Sequence, residues 1–208
     1  MLAATAVALA VVAVVVAVLG PPWSDRSAAN GPLVAPSIRQ GSGFPRDAGD
    51  PVGFAGIRFY NSGPEPAVLD RVTLVDPEAG IRMVGALAAQ EPQGGSAEAY
   101  PGFPPRREDF PAEVVSFPDL APLEGYVVPP QPDVNPDAAK RTQLYIGLES
   151  TKPDGRVTLQ SFRVHYRVDD DRYELLVPYA VAICTPKAEW AGIRPCGGVD
   201  GPFLPGED

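Results

Sequence analysis

The sequence predicts an all-β protein, an antiparallel β-sandwich preceded by one N-terminal transmembrane helix. Three observations predict it. Proline (26) and glycine (21) make up nearly a quarter of the 208 residues, a composition that breaks helices and favours short strands joined by turns. Two consecutive C-terminal segments alternate apolar and polar residues with period two. And from Leu2 to Leu19 every residue is apolar except Thr5.

At 1.5 Å rise per residue, a helix over Leu2–Leu19 matches the roughly 30 Å hydrocarbon core of a bilayer. Leu19-Gly20-Pro21-Pro22 closes the run, and proline there obstructs signal-peptide cleavage. Ser27-Ala28-Ala29 offers a rival cleavage site, but it lies well beyond the apolar run. An uncleaved anchor over 1–20 is therefore expected, with the C-terminal part outside the membrane. Residues 21–50 are rich in Pro, Ser, Asp, Gly, Ala and Asn and predict a flexible linker, because isolated apolar residues do not offset ordering entropy.

The β-sandwich domain is expected over 51–200, with a short tail at 201–208. Strand-length apolar pieces bounded by turn residues run over Val52–Tyr60, Ala67–Asp76, Ile81–Ala89, Gln143–Ser150, Arg156–Val168 and Arg172–Ile183. In the fifth, Phe162, Val164, Tyr166 and Val168 alternate with Ser161, Arg163, His165 and Arg167. Tyr173, Leu175, Val177, Tyr179, Val181 and Ile183 alternate in the sixth. A four-residue loop, Asp169-Asp170-Asp171-Arg172, sets Val168 opposite Tyr173, Tyr166 opposite Leu175, Val164 opposite Val177 and Phe162 opposite Tyr179, with Arg167 opposite Glu174 on the polar face. Val157 and Leu159 have the other parity, so a bulge or break is expected at Gln160-Ser161, where the strand leaves one sheet for the other.

Between Ala89 and Thr142 the pattern dissolves into eleven prolines within 91–140, interleaved with Tyr100, Phe103, Phe110, Phe117 and Tyr126. Val114–Phe117 and Tyr126–Val128 are its two candidate edge strands. The stretch predicts either a crossover lying on the sandwich with its aromatics tucked inward, or an interaction loop presenting those five aromatics to a partner.

Composition excludes several function classes. A net charge of −9 without a basic cluster argues against nucleic-acid binding. One His and two Cys leave little for a transition-metal site. P-loop, G-x-G-x-x-G, H-E-x-x-H and G-x-S-x-G patterns are missing from the sequence. No catalytic, cofactor-binding or metal residue is therefore assigned. His165 predicts a solvated strand residue, since sequence names neither a nucleophile nor an orienting carboxylate for it. Asp169–Asp171 lacks the spacing of a Ca²⁺ loop and reads as a hairpin tip. Cys184 and Cys196, close in sequence beyond the last strand of an exported chain, predict a disulfide.

Arg58-Phe59-Tyr60-Asn61-Ser62-Gly63 followed by Ala67–Val75, and Gly155–Val168 followed by Tyr173–Val181, resemble the immunoglobulin-like sandwich pattern of small membrane-anchored proteins exported by high-GC Gram-positive bacteria. The resemblance implies an immunoglobulin-like fold and an envelope location, and transfers no catalytic residue. The expected function is an extracytoplasmic interaction or structural module that binds another envelope protein, with no cofactor. The alternative is an extracytoplasmic enzyme or small-ligand carrier using His165 or the loop carboxylates.

Overall fold

The computed structural model describes residues 28–29, 31–35, 40–92, 99–109, 118–187 and 196. Fourteen strands occur among them, in chain order β1 (Ala28–Ala29), β2 (Leu33–Val34), β3 (Gln40–Pro45), β4 (Val52–Asn61), β5 (Ala67–Val75), β6 (Ile81–Gln90), β7 (Ala99–Tyr100), β8 (Ala121–Pro122), β9 (Val127–Val128), β10 (Thr142–Ser150), β11 (Gly155–Leu159), β12 (Ser161–Val168), β13 (Asp171–Val177) and β14 (Tyr179–Thr185). They form a five-stranded sheet in the order β1-β13-β12-β5-β9, a six-stranded sheet β2-β4-β10-β6-β8 with β7 also on β4, and a three-stranded sheet β11-β14-β3. The all-β expectation holds, and the pairings are antiparallel except β1 with β13 and β3 with β14. The transmembrane helix expected over 1–20 and the tail at 201–208 lie outside the described residues. Among the described residues, no helix is long and apolar enough to cross a membrane.

The inner faces of the sheets share one apolar core. Phe54 of β4 stacks on Phe162 of β12 with ring centroids 5.3 Å apart and meets Tyr179 of β14 edge-on at 4.8 Å, so one side chain joins all three sheets. Phe162, Val164 and Tyr166 are buried while Arg167 is exposed, as period-two patterning requires. Buried Asn61 ends β4 and holds the turn after it, accepting from the Gly63 amide at 2.9 Å and donating to the Glu65 and Val128 carbonyls.

The break expected at Gln160 is observed. β11 pairs with β14 in one sheet and β12 with β13 in another. Between the pairs Leu159–Val181 and Phe162–Val177, one strand has two intervening residues and the other three, Pro178 among them. Pro178 supplies no backbone donor, so the ladder ends there and both strands of the ribbon turn together into the second sheet.

The hairpin register differs from expectation. Tyr166 faces Tyr173, Val164 faces Leu175 and Phe162 faces Val177, while His165 faces Glu174 and Arg167 faces Arg172. The loop is only Asp169-Asp170, with Asp169 at φ 52°. A two-residue turn with a positive first φ matches the right-handed twist of the flanking strands, and Asp tolerates that conformation. The four-residue alternative differs by a slip of two residues, which leaves every side chain on the same face.

The linker expectation over 21–50 is also corrected: β1, β2 and β3 lie inside it. β3 runs beside β14, with Phe44 packed on the core, and Leu33 of β2 is buried where its amide meets the Tyr166 hydroxyl at 3.3 Å. Gln40-Gly-Ser-Gly-Phe-Pro carries little apolar signal because main-chain pairing along an existing edge holds it.

In the crossover, Tyr126–Val128 narrows to β9 at the edge of β5, and Val114–Phe117 lies outside the described residues. What the crossover covers is the outer face of the six-stranded sheet. β10 is buried along its entire length: Leu144, Ile146 and Leu148 point into the core, and Tyr145 and Gly147 lie beneath the crossover. Tyr100 packs against Tyr145 at 6.0 Å, and Phe103 sits over Gly85 and Gly147. A Cβ at Gly147 would lie 2.5 Å from the Phe103 ring, so only glycine admits it.

Candidate binding surface on the open sheet

Of the five aromatics proposed as an interaction loop, Tyr100 is 1% exposed and cannot meet a partner. Phe103 is seated on the sheet and Tyr126 packs against the core. Phe110 and Phe117 lie outside the described residues. The aromatics described are cover for an apolar sheet face, not a presented surface. A cleft of about 570 Å³ opens beside Phe103, between Pro51 and Pro101–Arg106. Half of its lining is proline; the Arg106 backbone amide donates to Asp109 Oδ2 at 2.6 Å, and the Arg106 guanidinium lies 3.8 Å from Glu108 Oε1.

The outer face of the five-stranded sheet has a different chemistry. Alternation along β12 aims Arg163, His165 and Arg167 outward. The ladder sets Thr73 beside Arg163, Arg71 beside His165 and Val68 beside Arg167; the register shift there makes Asp70 the bulged residue. On the other flank, Leu176, Glu174 and Arg172 face the same three residues, and Leu176 is 53% exposed.

Two ion pairs cross this face, Arg163 Nε to Glu174 Oε2 at 3.4 Å and Arg167 Nε to Asp70 Oδ1 at 3.8 Å, and His165 Nδ1 lies 3.2 Å from Glu174 Oε1. His165 Nε2 lies 3.1 Å from Thr73 Oγ1. Burial, then the Arg71 charge, hold the imidazole pKa below its ordinary 6.5 against the opposing pull of Glu174. The neutral ring, with Nδ1–H donating to Glu174 and Nε2 accepting from Thr73, fits both contacts.

Sequence reasoning placed His165 on the polar face but named no partner for it. The structure supplies both, a hydroxyl and a carboxylate. Thr73–His165–Glu174 has the order of a nucleophile–base–orienter relay. It lies on a sheet face rather than in a cleft, and β12 is hydrogen-bonded on both flanks, so its amides are committed to ladders and not free to form an oxyanion hole. Among the described residues, no group of three or more His, Cys, Asp or Glu side chains is arranged to hold a metal ion.

Cys184, near the end of β14, and Cys196 are joined as a disulfide, their Cα atoms 6.1 Å apart and both residues buried. The bond closes the loop that the sequence predicted.

No family model matches this chain, and no curated protein does. Among solved structures, the chain is similar to the ASH/PapD-like domain 7 of human CEP192, at 8% identity and a TM-score of 0.31, with 81% of this chain and 93% of that one covered.

Proposed function

We propose that this chain is a membrane-anchored, extracytoplasmic binding module of immunoglobulin-like type, and that it contacts another envelope protein through the open face of the five-stranded sheet. One observation carries the choice of face. The proline-rich crossover covers the outer face of the six-stranded sheet, whereas the face bearing Arg71, Arg163 and Arg167 has charged side chains turned outward. The apolar run Leu2–Leu19 supports the anchor, and the Cys184–Cys196 bond supports an oxidising compartment.

The test is site-specific photo-crosslinking in intact cells. A crosslinker at Leu176 is expected to give a discrete adduct with an envelope protein, and one at Val84, on the other sheet, is expected to give none. Equal adducts from both positions, or none from either, would remove the assignment.

The relay geometry at Thr73 favours a second reading, an enzyme acting on envelope components. Under it, His165→Ala would abolish the cellular role while leaving the Leu176 crosslink intact. Under the binding reading, the role and the crosslink fall or survive together.

A further inference from the structure

We propose that the open face is a docking strip for an extended acidic segment of the partner protein, whose carboxylates settle among Arg71, Arg163 and Arg167 along β12. This rests on the open face being the binding surface and specifies the chemistry of what binds there.

The ladder gathers arginines from three strands on one face. Arg172 lies directly opposite Arg167, and Arg71 directly opposite His165. Among the described residues, the arginines Arg71, Arg163 and Arg167 share this face with two carboxylates, Glu174 and Asp70. Glu174 is shared between Arg163 and His165, and Asp70 is drawn to Arg167. Arg71 is exposed and makes no ion pair among the described residues. This local excess of positive charge stands on a chain whose net charge is −9.

Geometry narrows the anion to a line of carboxylates. Outward residues of a strand recur at about 6.7 Å, the same repeat as the side chains on one face of an extended peptide. The planar guanidinium of Arg suits bidentate pairing with a carboxylate. Asp70 and Glu174 flank the β12 row on either side, which admits a single acidic chain between them and repels a continuous anionic plane such as a lipid surface.

The probe is a fluorescent peptide of alternating Glu and Ser, compared with a block peptide of the same composition, both titrated against the full chain in neutral detergent micelles. The alternating peptide is expected to bind more tightly, to be displaced by added salt, and to lose about tenfold or more in affinity with Arg71→Glu, with a smaller loss for Arg71→Lys, which keeps the charge without the planar fork. A thermal melt establishes that the variant is folded.

Equal binding of both peptides, or undiminished binding by Arg71→Glu, overturns the proposal. So does displacement of the peptide by phosphatidylglycerol added to the micelles but not by phosphatidylcholine, which assigns the face to lipid. If the Leu176 crosslink in cells survives Arg71→Glu, the face still binds a protein and the acidic segment alone is refuted. If wild type gives neither crosslink nor peptide binding, both readings fall.

Discussion

Substituting Asp for Val164 and for Leu176 places the same carboxylate on opposite faces of one hairpin. Val164 has no exposed surface, in the layer that holds Phe162 and Tyr166, whereas Leu176 is 53% exposed on the arginine face. Keeping an Asp neutral at pH 7 in that core requires raising its pKa from about 3.9 to above 7, which at 1.36 kcal/mol per unit costs about 4 kcal/mol. Losing the buried Val methyls adds about 1.5 kcal/mol. A total of about 5 to 6 kcal/mol consumes much or all of the stability of an ordinary domain. Leu176→Asp meets none of these costs and sits opposite Arg163, so it is expected to stay within about 0.5 kcal/mol of wild type. Denaturant titration of the two variants reads the difference directly. If the two midpoints fell together, the arginine face would be as buried as the core, and no open binding surface would exist.

The cover over the other sheet is tested by Gly147→Ala, whose new Cβ displaces the Phe103 ring; a loss of about 1 to 3 kcal/mol is expected, with faster proteolysis within Tyr100–Asp109. Because the His165 pKa is lowered in the folded state, its contribution is fully present above the unfolded value of about 6.5 and is lost as pH falls below that value. Wild type should therefore lose more stability than His165→Gln between pH 7.5 and 5, and parallel losses in the two proteins would show that the ring does not titrate differently on folding. Non-reducing peptide mapping should recover Cys184 joined to Cys196, and reduction should cost about 3 kcal/mol for a loop of this size; free thiols in natively exported protein would contradict the bond. Full-length protein should resist alkaline extraction from membranes while its domain is cut by external protease. A soluble mature form beginning near Asn30 would refute the anchor.

What could be read from the sequence followed its period-two signal. β4, β5, β6 and β10 match the first four apolar pieces within a residue, while the fifth piece divides into β11 and β12 and the sixth, expected as one strand, into β13 and β14 at Pro178. The sheet switch at Gln160 was legible as a change of parity between Leu159 and Phe162. The exact register was not, since slips of two residues preserve parity and the choice was made by Asp169 adopting φ 52°. β1, β2 and β3 escaped detection because they pair along edges the rest of the fold creates, and local composition carries no record of a distant partner. His165 could be placed on the outer face by alternation, but Thr73 and Glu174 came beside it only through ladders joining three separate strands.

Composition also explains why one outer face is covered and the other is not. The outward positions of β10 include Tyr145 and Gly147, an aromatic ring beside a bare stretch of backbone, and exposing them would leave apolar surface in water. Tyr100, Phe103 and Leu120 of the crossover fit there, and beneath them the Tyr145 hydroxyl donates to Gln143 Oε1 at 2.9 Å while Gln143 Nε2 donates to the Ala55 carbonyl. On β12 the corresponding positions are Arg163, His165 and Arg167. An apolar loop laid across them would strip water from cations without supplying counter-charge, a cost that grows steeply with burial. The crossover is therefore directed to one sheet by the chemistry of both. A partner approaching the arginine face meets the same condition and must bring its own anions.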